Sequence, residues 1–173
     1  RGTTGKYNYP YEVDWIKTSK KNGTTQIHKD LPTREDILKL IDVARRHRNK
    51  ALIMLLYDSA GRISEILNLK VKDLIFDEYG GYINVNGKTG ERKIRLIDSI
   101  PYLKIYLNEE YPLKDKKGNP ERDSYLFVGL DKKNIGIPIQ DISVRQLLNR
   151  LTKRADIKKN IHPHSFRHAK LTQ

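Results

Sequence analysis

The stretch that decides the fold is Ala51-Leu52-Ile53-Met54-Leu55-Leu56-Tyr57-Asp58-Ser59-Ala60-Gly61-Arg62-Ile63-Ser64-Glu65-Ile66-Leu67-Asn68-Leu69. Residues 51–57 are apolar on every side and are mostly good helix formers rather than β-branched, which predicts a central buried helix instead of a strand. Asp58-Ser59-Ala60-Gly61 ends that helix, and a short second helix follows with Ile63, Ile66 and Leu67 on its inner side. Arg62 falls just after Gly61, with Glu65 three residues on. A guanidinium at a helix start, held by a carboxylate one turn later, makes a rigid bidentate clamp for phosphate oxygens. Taken alone, an Arg-x-x-Glu pair is more often a surface ion pair.

Upstream, Thr33 stands in cap position before Arg34-Glu35-Asp36, whose carboxylates complement a helix dipole. Ile37, Leu40, Ile41 and Ala44 recur at helical spacing, leaving Arg45, Arg46 and Arg48 near the end of this helix. Residues 1–31 have few apolar side chains beyond Tyr11, Val13, Trp15 and Ile16, and their charge is net positive; they read as a basic linker or arm.

Downstream of Lys72 the apolar period shortens towards two. Leu74 and Phe76, then Tyr82, Ile83 and Val85, then Ile94, Leu96 and Ile97 predict three short strands. The turns Glu78-Tyr79-Gly80-Gly81 and Asn86-Gly87-Lys88-Thr89-Gly90 between them contain the glycines that tight hairpins require. A helix capped by Ser99 and built on Leu103, Tyr106 and Leu107 should stop before Pro112. Residues 113–124 read as an exposed loop and Tyr125-Leu126-Phe127-Val128 as a short extended piece. The last clear helix is expected from about Ser143 to Ala155, with Val144, Leu147, Leu148 and Leu151 inward and Arg145, Arg150, Lys153 and Arg154 outward. The fold class is therefore α+β, mainly helical, with a small three-stranded antiparallel sheet.

The 173 residues carry 34 Lys and Arg against 21 Asp and Glu, a net charge of +13, which makes nucleic acid the leading partner class. This length suits one domain with a real core. No window approaches the ~18 uncharged apolar residues of a membrane span, so a soluble chain without a membrane partner is expected. The absence of Cys excludes disulfides and thiolate metal sites.

Two further polar clusters complete the candidates. Lys88, at the tip of the second hairpin turn, could reach a DNA groove as a point charge on phosphate or as a proton donor; a solvated lysine is the commoner reading. In Ile161-His162-Pro163-His164-Ser165-Phe166-Arg167-His168, a helix opened by Pro163 would put His164 and Arg167 on one face, converging on one phosphate. His162, His164 and His168 could instead bind a metal, but no carboxylate or thiol is nearby and Arg167 lies among them.

Taken in this order, the clusters resemble the catalytic domain of tyrosine recombinases, the family of phage and archaeal virus integrases and Xer-type recombinases. Residues Asp58 to Leu69 look like the family's first-arginine box. Val85-Asn86-Gly87-Lys88-Thr89-Gly90-Glu91-Arg92-Lys93 resembles its β-hairpin lysine turn, and His164-Ser165-Phe166-Arg167-His168 its His-x-x-Arg box. The resemblance spans about residues 31–173. It implies that Arg62 and Arg167 clamp the scissile phosphate and neutralise transition-state charge. It also implies that Lys88 protonates the leaving 5′ oxygen, that His164 hydrogen-bonds the phosphate and assists proton transfer, and that Glu65 supports the site without reacting. Lys88, Arg92 and Lys93 would contact DNA. A tyrosine attacks phosphorus to give a 3′-phosphotyrosyl link, which a 5′ hydroxyl reverses, so neither metal nor nucleotide cofactor is implied.

Two departures accompany the resemblance. Ala60-Gly61 precede Arg62, whereas the common order has Gly one place earlier and an apolar residue beside the Arg, so the backbone entering the clamp is expected to differ. The family's nucleophilic Tyr, and the third His or Trp before it, lie beyond the His-x-x-Arg box, whereas all ten Tyr of this chain lie at Tyr125 or earlier. No nucleophile is therefore assigned. Residues 32–173 are expected to be a catalytic domain lacking its carboxyl-terminal segment and inactive alone, with residues 1–31 the linker from a missing amino-terminal core-binding domain. The resemblance further implies double-stranded DNA as partner, a tetramer on DNA for the full-length protein, and a cytoplasmic, nucleoid-associated location. The alternatives are a non-catalytic DNA-binding module of the same fold, a type IB topoisomerase, and a metal-dependent nuclease using the three histidines.

Overall fold

A computed structural model describes residues 31–87 and 90–171. The sequence expectations for residues 1–30 and for Lys88 lie outside the described residues. Six α-helices and one antiparallel sheet make up the described chain: α1 (Arg34–Val43), α2 (His47–Ser59), α3 (Ile63–Leu67), β1 (Leu74–Asp77), β2 (Gly80–Gly87), β3 (Gly90–Leu96), α4 (Ile100–Ile105), α5 (Asp141–Arg154) and α6 (Pro163–Leu171). The α+β class expected from the sequence is the one observed.

Helix α1 starts where the capping chemistry places it. The Thr33 hydroxyl accepts from the Asp36 N–H at 3.3 Å, and the Asp36 carboxylate accepts from the Thr33 N–H at 2.9 Å. Ile37, Leu40 and Ile41 are its buried stripe. The helix ends at Val43, however. Arg46 precedes the first residue of α2, and Arg48 belongs to the first turn of α2, where it donates to Val128 O at 2.9 Å. Three basic residues expected at one helix end are thus divided by a turn, and one of them ties α2 to the 125–128 segment.

Residues 51–57 are all buried, so α2 is the axis of the molecule. It packs against α1, α4, α6 and β3. Its end is built by side chains: Ser59 Oγ donates to Leu55 O at 2.6 Å and accepts from the Gly61 N–H at 3.1 Å. The Asp58 carboxylate reaches across to the next layer, accepting from the N–H groups of Ile97 and Ser99 and from Ser99 Oγ at 2.8 Å. Ser99 therefore does not cap α4 with its own oxygen as expected; its hydroxyl donates to Asp58 instead.

The sheet order is β1-β2-β3, with Leu74 opposite Ile83, Val85 opposite Arg92 and Gly87 opposite Gly90. Ile83, Val85 and Leu96 face the core. Gly80, at φ +125, makes the first turn, a conformation that a side chain would strain. Ile97, expected in the third strand, lies beyond it and is exposed, because Asp58 draws its N–H out of the ladder and into the start of α4. After α4 the chain continues as a π-helical turn over Tyr106–Glu110. Leu126, Phe127 and Val128 are fully buried, with Phe127 stacked on Tyr106 at 5.9 Å. Helix α5 starts at Asp141, two residues before the expected Ser143, and buries the four predicted residues.

Candidate active site

The end of α2 and the start of α6 meet because these helices pack together. Ala60 takes the left-handed conformation, φ 47 and ψ 25. That reverses the backbone and turns the Ala60 carbonyl towards α6, where Arg167 Nη1 donates to it at 3.1 Å across 107 residues of sequence. Gly61 is closely packed: a Cβ there would lie 2.8 Å from Ile66 Cδ1 and 3.1 Å from Ser59 Oγ, so a side chain would require the buried Ile66 to shift. Pro163 opens α6 as the sequence suggested, so His164 and Arg167 stand one turn apart on one face.

Arg62 immediately precedes α3. Its N–H donates to Glu65 Oε2 at 3.0 Å and its Nη1 to Glu65 Oε1 at 2.9 Å. The Glu65 side chain is 3% exposed, whereas that of Arg62 is 43% exposed; the carboxylate is buried support and the guanidinium a half-open tool. Gly61, Arg62, Ile63, Ser64, Pro163, His164 and Arg167 line one open pocket of about 110 Å³. Two guanidiniums and an imidazole around one small, water-accessible pocket suit a tetrahedral anion such as a phosphodiester.

Glu65 has a second partner. Arg92 Nη1 and Nη2 donate to its two oxygens at 3.0 and 2.7 Å. Burial alone would raise this carboxyl, but the hydrogen bonds from Arg92 and then from Arg62 outweigh that effect and bring it down to about 2. The Arg92 guanidinium, expected from the sequence at the DNA, is paired with Glu65. The signal that could have revealed this is strand alternation. Arg92 shares a face with Ile94 and Leu96, the inward face, where a charge must find a partner. Lys93 projects from the opposite face, exposed, its Nζ 5.0 Å from the centre of the Tyr82 ring.

Gly87, the last described residue before Lys88, lies so close to Glu65 that a Cβ there would overlap a carboxylate oxygen. The base of the hairpin turn is thus packed on the residue that holds Arg62. Among the histidines, His162 is half-buried, and burial, followed by the charges of His164, Arg145 and His168, holds it below its ordinary value. Among the described residues no three His, Cys, Asp or Glu are grouped so as to hold a metal, and no helix is long and apolar enough to cross a membrane.

The sequence profile of the phage integrase family matches residues 32–173. The XerA tyrosine recombinase of Pyrococcus horikoshii is 32% identical over 155 residues, covering 87% of this chain and 50% of that protein. Among solved structures, XerA recombinase matches with a TM-score of 0.65 at 24% identity, covering 82% of this chain and 50% of that one. A XerH site-specific recombinase bound to its difH substrate matches at 0.63 and 24% identity, covering 87% of this chain and 44% of that one. The chain spans about half the length of the curated relatives it matches.

Proposed function

Since this chain belongs to the phage integrase family of tyrosine recombinases, we propose that its pocket grips and activates one DNA phosphodiester for strand breakage and rejoining through a 3′-phosphotyrosyl intermediate. The observation that carries this reading is the convergence of Arg62, His164 and Arg167 on one pocket. Arg62 and Arg167 place positive charge where the two non-bridging oxygens accumulate negative charge in the pentavalent transition state, and fixed donors of that kind lower the barrier without reorganising. His164 supplies a hydrogen bond to the same phosphate and a route for the proton. Lys88 gives a proton to the departing 5′ oxygen in cleavage and receives it back in rejoining. The excess of basic residues grips flanking phosphates of double-stranded DNA, and the whole protein assembles with further copies on its recombining sites.

The rejoining half of this cycle tests the reading on the chain as it stands, because it uses the clamp and not the nucleophile. A DNA strand ending in a 3′-(4-nitrophenyl) phosphodiester mimics the phosphotyrosyl link. Annealed beside a strand with a free 5′ hydroxyl, it should be joined, forming a P–O5′ bond and releasing nitrophenolate as the P–O(aryl) bond breaks and the hydroxyl proton leaves. Arg62→Ala or Arg167→Ala should each slow release by roughly 100- to 1,000-fold. Duplex binding with no release above the uncatalysed rate overturns the enzymatic reading in favour of a non-catalytic DNA-binding module.

A further inference from the structure

We infer that Arg92 is a positioning residue and not a DNA contact: through the buried Glu65 carboxylate it fastens the β2–β3 hairpin to the Arg62 guanidinium, so that hairpin and phosphate clamp are held as one unit. The inference rests on the functional reading above and deepens it. Its basis is a chain of three side chains from two separate parts of the fold. Arg92 occupies both Glu65 oxygens in bidentate fashion, and the same oxygens receive the N–H and the guanidinium of Arg62. A planar fork on a carboxylate fixes orientation as well as distance. The register then transmits that orientation: Arg92 faces Val85 across the ladder, and two rungs on, Gly87 pairs with Gly90. Gly87 itself rests on the Glu65 carboxylate, where no side chain fits. The hairpin is therefore located twice by one buried carboxylate, once by an ion pair and once by close packing. Arg95 on the same strand makes a similar pair with Asp77, but that pair is remote from the pocket, so it serves as the internal control.

The groups around Glu65 are few. Arg62 faces it from the start of α3 and Arg92 from β3; Asp73, Glu91 and Lys93 line the groove beside it. Among the described residues, removing Arg92 leaves Arg62 as the one cation directly bonded to the carboxylate, so Glu65 should titrate higher and hold Arg62 less tightly.

The test compares the full chain with Arg92→Ala, Arg92→Lys and Arg95→Ala. Duplex affinity is measured against salt, nitrophenolate release at saturating DNA, the Glu65 carboxyl by ¹³C titration, and the order of the Arg62 side chain by ¹⁵Nε relaxation. Arg92→Ala should leave the salt slope unchanged, lower the saturated rate by about ten- to hundredfold, raise the Glu65 titration midpoint and disorder Arg62. Arg92→Lys, keeping the charge but not the fork, should fall between, and it carries the comparison if the alanine variant does not fold. Arg95→Ala should match the parent chain. A salt slope reduced by about 0.9, with the saturated rate intact, would make Arg92 a phosphate contact and overturn the inference, as would an unmoved Glu65 titration. If the parent chain releases no nitrophenolate, the functional reading fails on its own, while the Glu65 and Arg62 measurements still decide the positioning.

Discussion

At the scale of single residues, the approach to Arg62 is where this chain departs from the usual recombinase order, and the departure has a physical cost. Ala60 sits at φ 47, a region that disfavours any residue with a Cβ. Ala60→Gly should therefore stabilise the fold by about 0.5–1 kcal/mol, read as a rise in the urea midpoint without a change in slope. Its neighbour has the opposite requirement. Gly61→Ala drives a methyl into the fully buried Ile66 and should cost about 1–3 kcal/mol. It should also slow strand joining, since the same backbone carries Arg62. The two glycine-sensitive places are adjacent and arise differently, one from torsion and one from space. Only the second was visible as a Gly in the sequence; the strained Ala60 could be seen only once the backbone turned to offer its carbonyl to Arg167.

At the scale of elements, the helices follow from local chemistry and the connections between them do not. Thr33 and Asp36 announce the start of α1, and the apolar run 51–57 announces α2, because caps and burial patterns are written within a few residues. The start of α4 is different. The N–H groups of Ile97 and Ser99, just ahead of its first residue, are satisfied by Asp58, which approaches from the end of α2. Asp58→Ala removes three hydrogen bonds at once and leaves the fully buried Ser99 hydroxyl without its acceptor. A loss of about 2–3 kcal/mol is expected, with local amide exchange accelerated at Ile97 and Ser99. Thr33→Ala, by contrast, removes one exposed cap and should cost about 1 kcal/mol. The ordering of these two losses in parallel urea titrations checks whether a distant carboxylate outweighs a local hydroxyl. Sequence periodicity also placed the three strands correctly, except for Ile97, whose backbone Asp58 takes from the ladder.

At the scale of the whole molecule, pH is the sharpest probe. Glu65 is held at about 2 in the folded chain against an ordinary 4.5. The folded state thus binds its proton less tightly than the unfolded state. The resulting stability is fully present above about 4.5 and is lost as pH falls towards 2, amounting to about 3 kcal/mol. Asp36, bound by Lys159 and Thr33, is lowered as well and acts in the same direction. Chemical denaturation between pH 6 and pH 3 should show stability falling with acid, and Glu65→Gln should flatten that fall while lowering stability at neutral pH. The sequence by itself determined the fold class, the central helix and the hairpin, and it singled out Arg62, Glu65, His164 and Arg167 as candidates, since periodicity, caps and motif spacing are properties of neighbouring residues. Only the tertiary structure decided that Arg92 belongs to Glu65, that Asp58 starts α4, and that Ala60 turns its carbonyl to Arg167. Each of those bonds joins residues far apart in the chain, and their partners are chosen by packing around α2, which satisfies buried polar groups wherever the folded backbone brings them together.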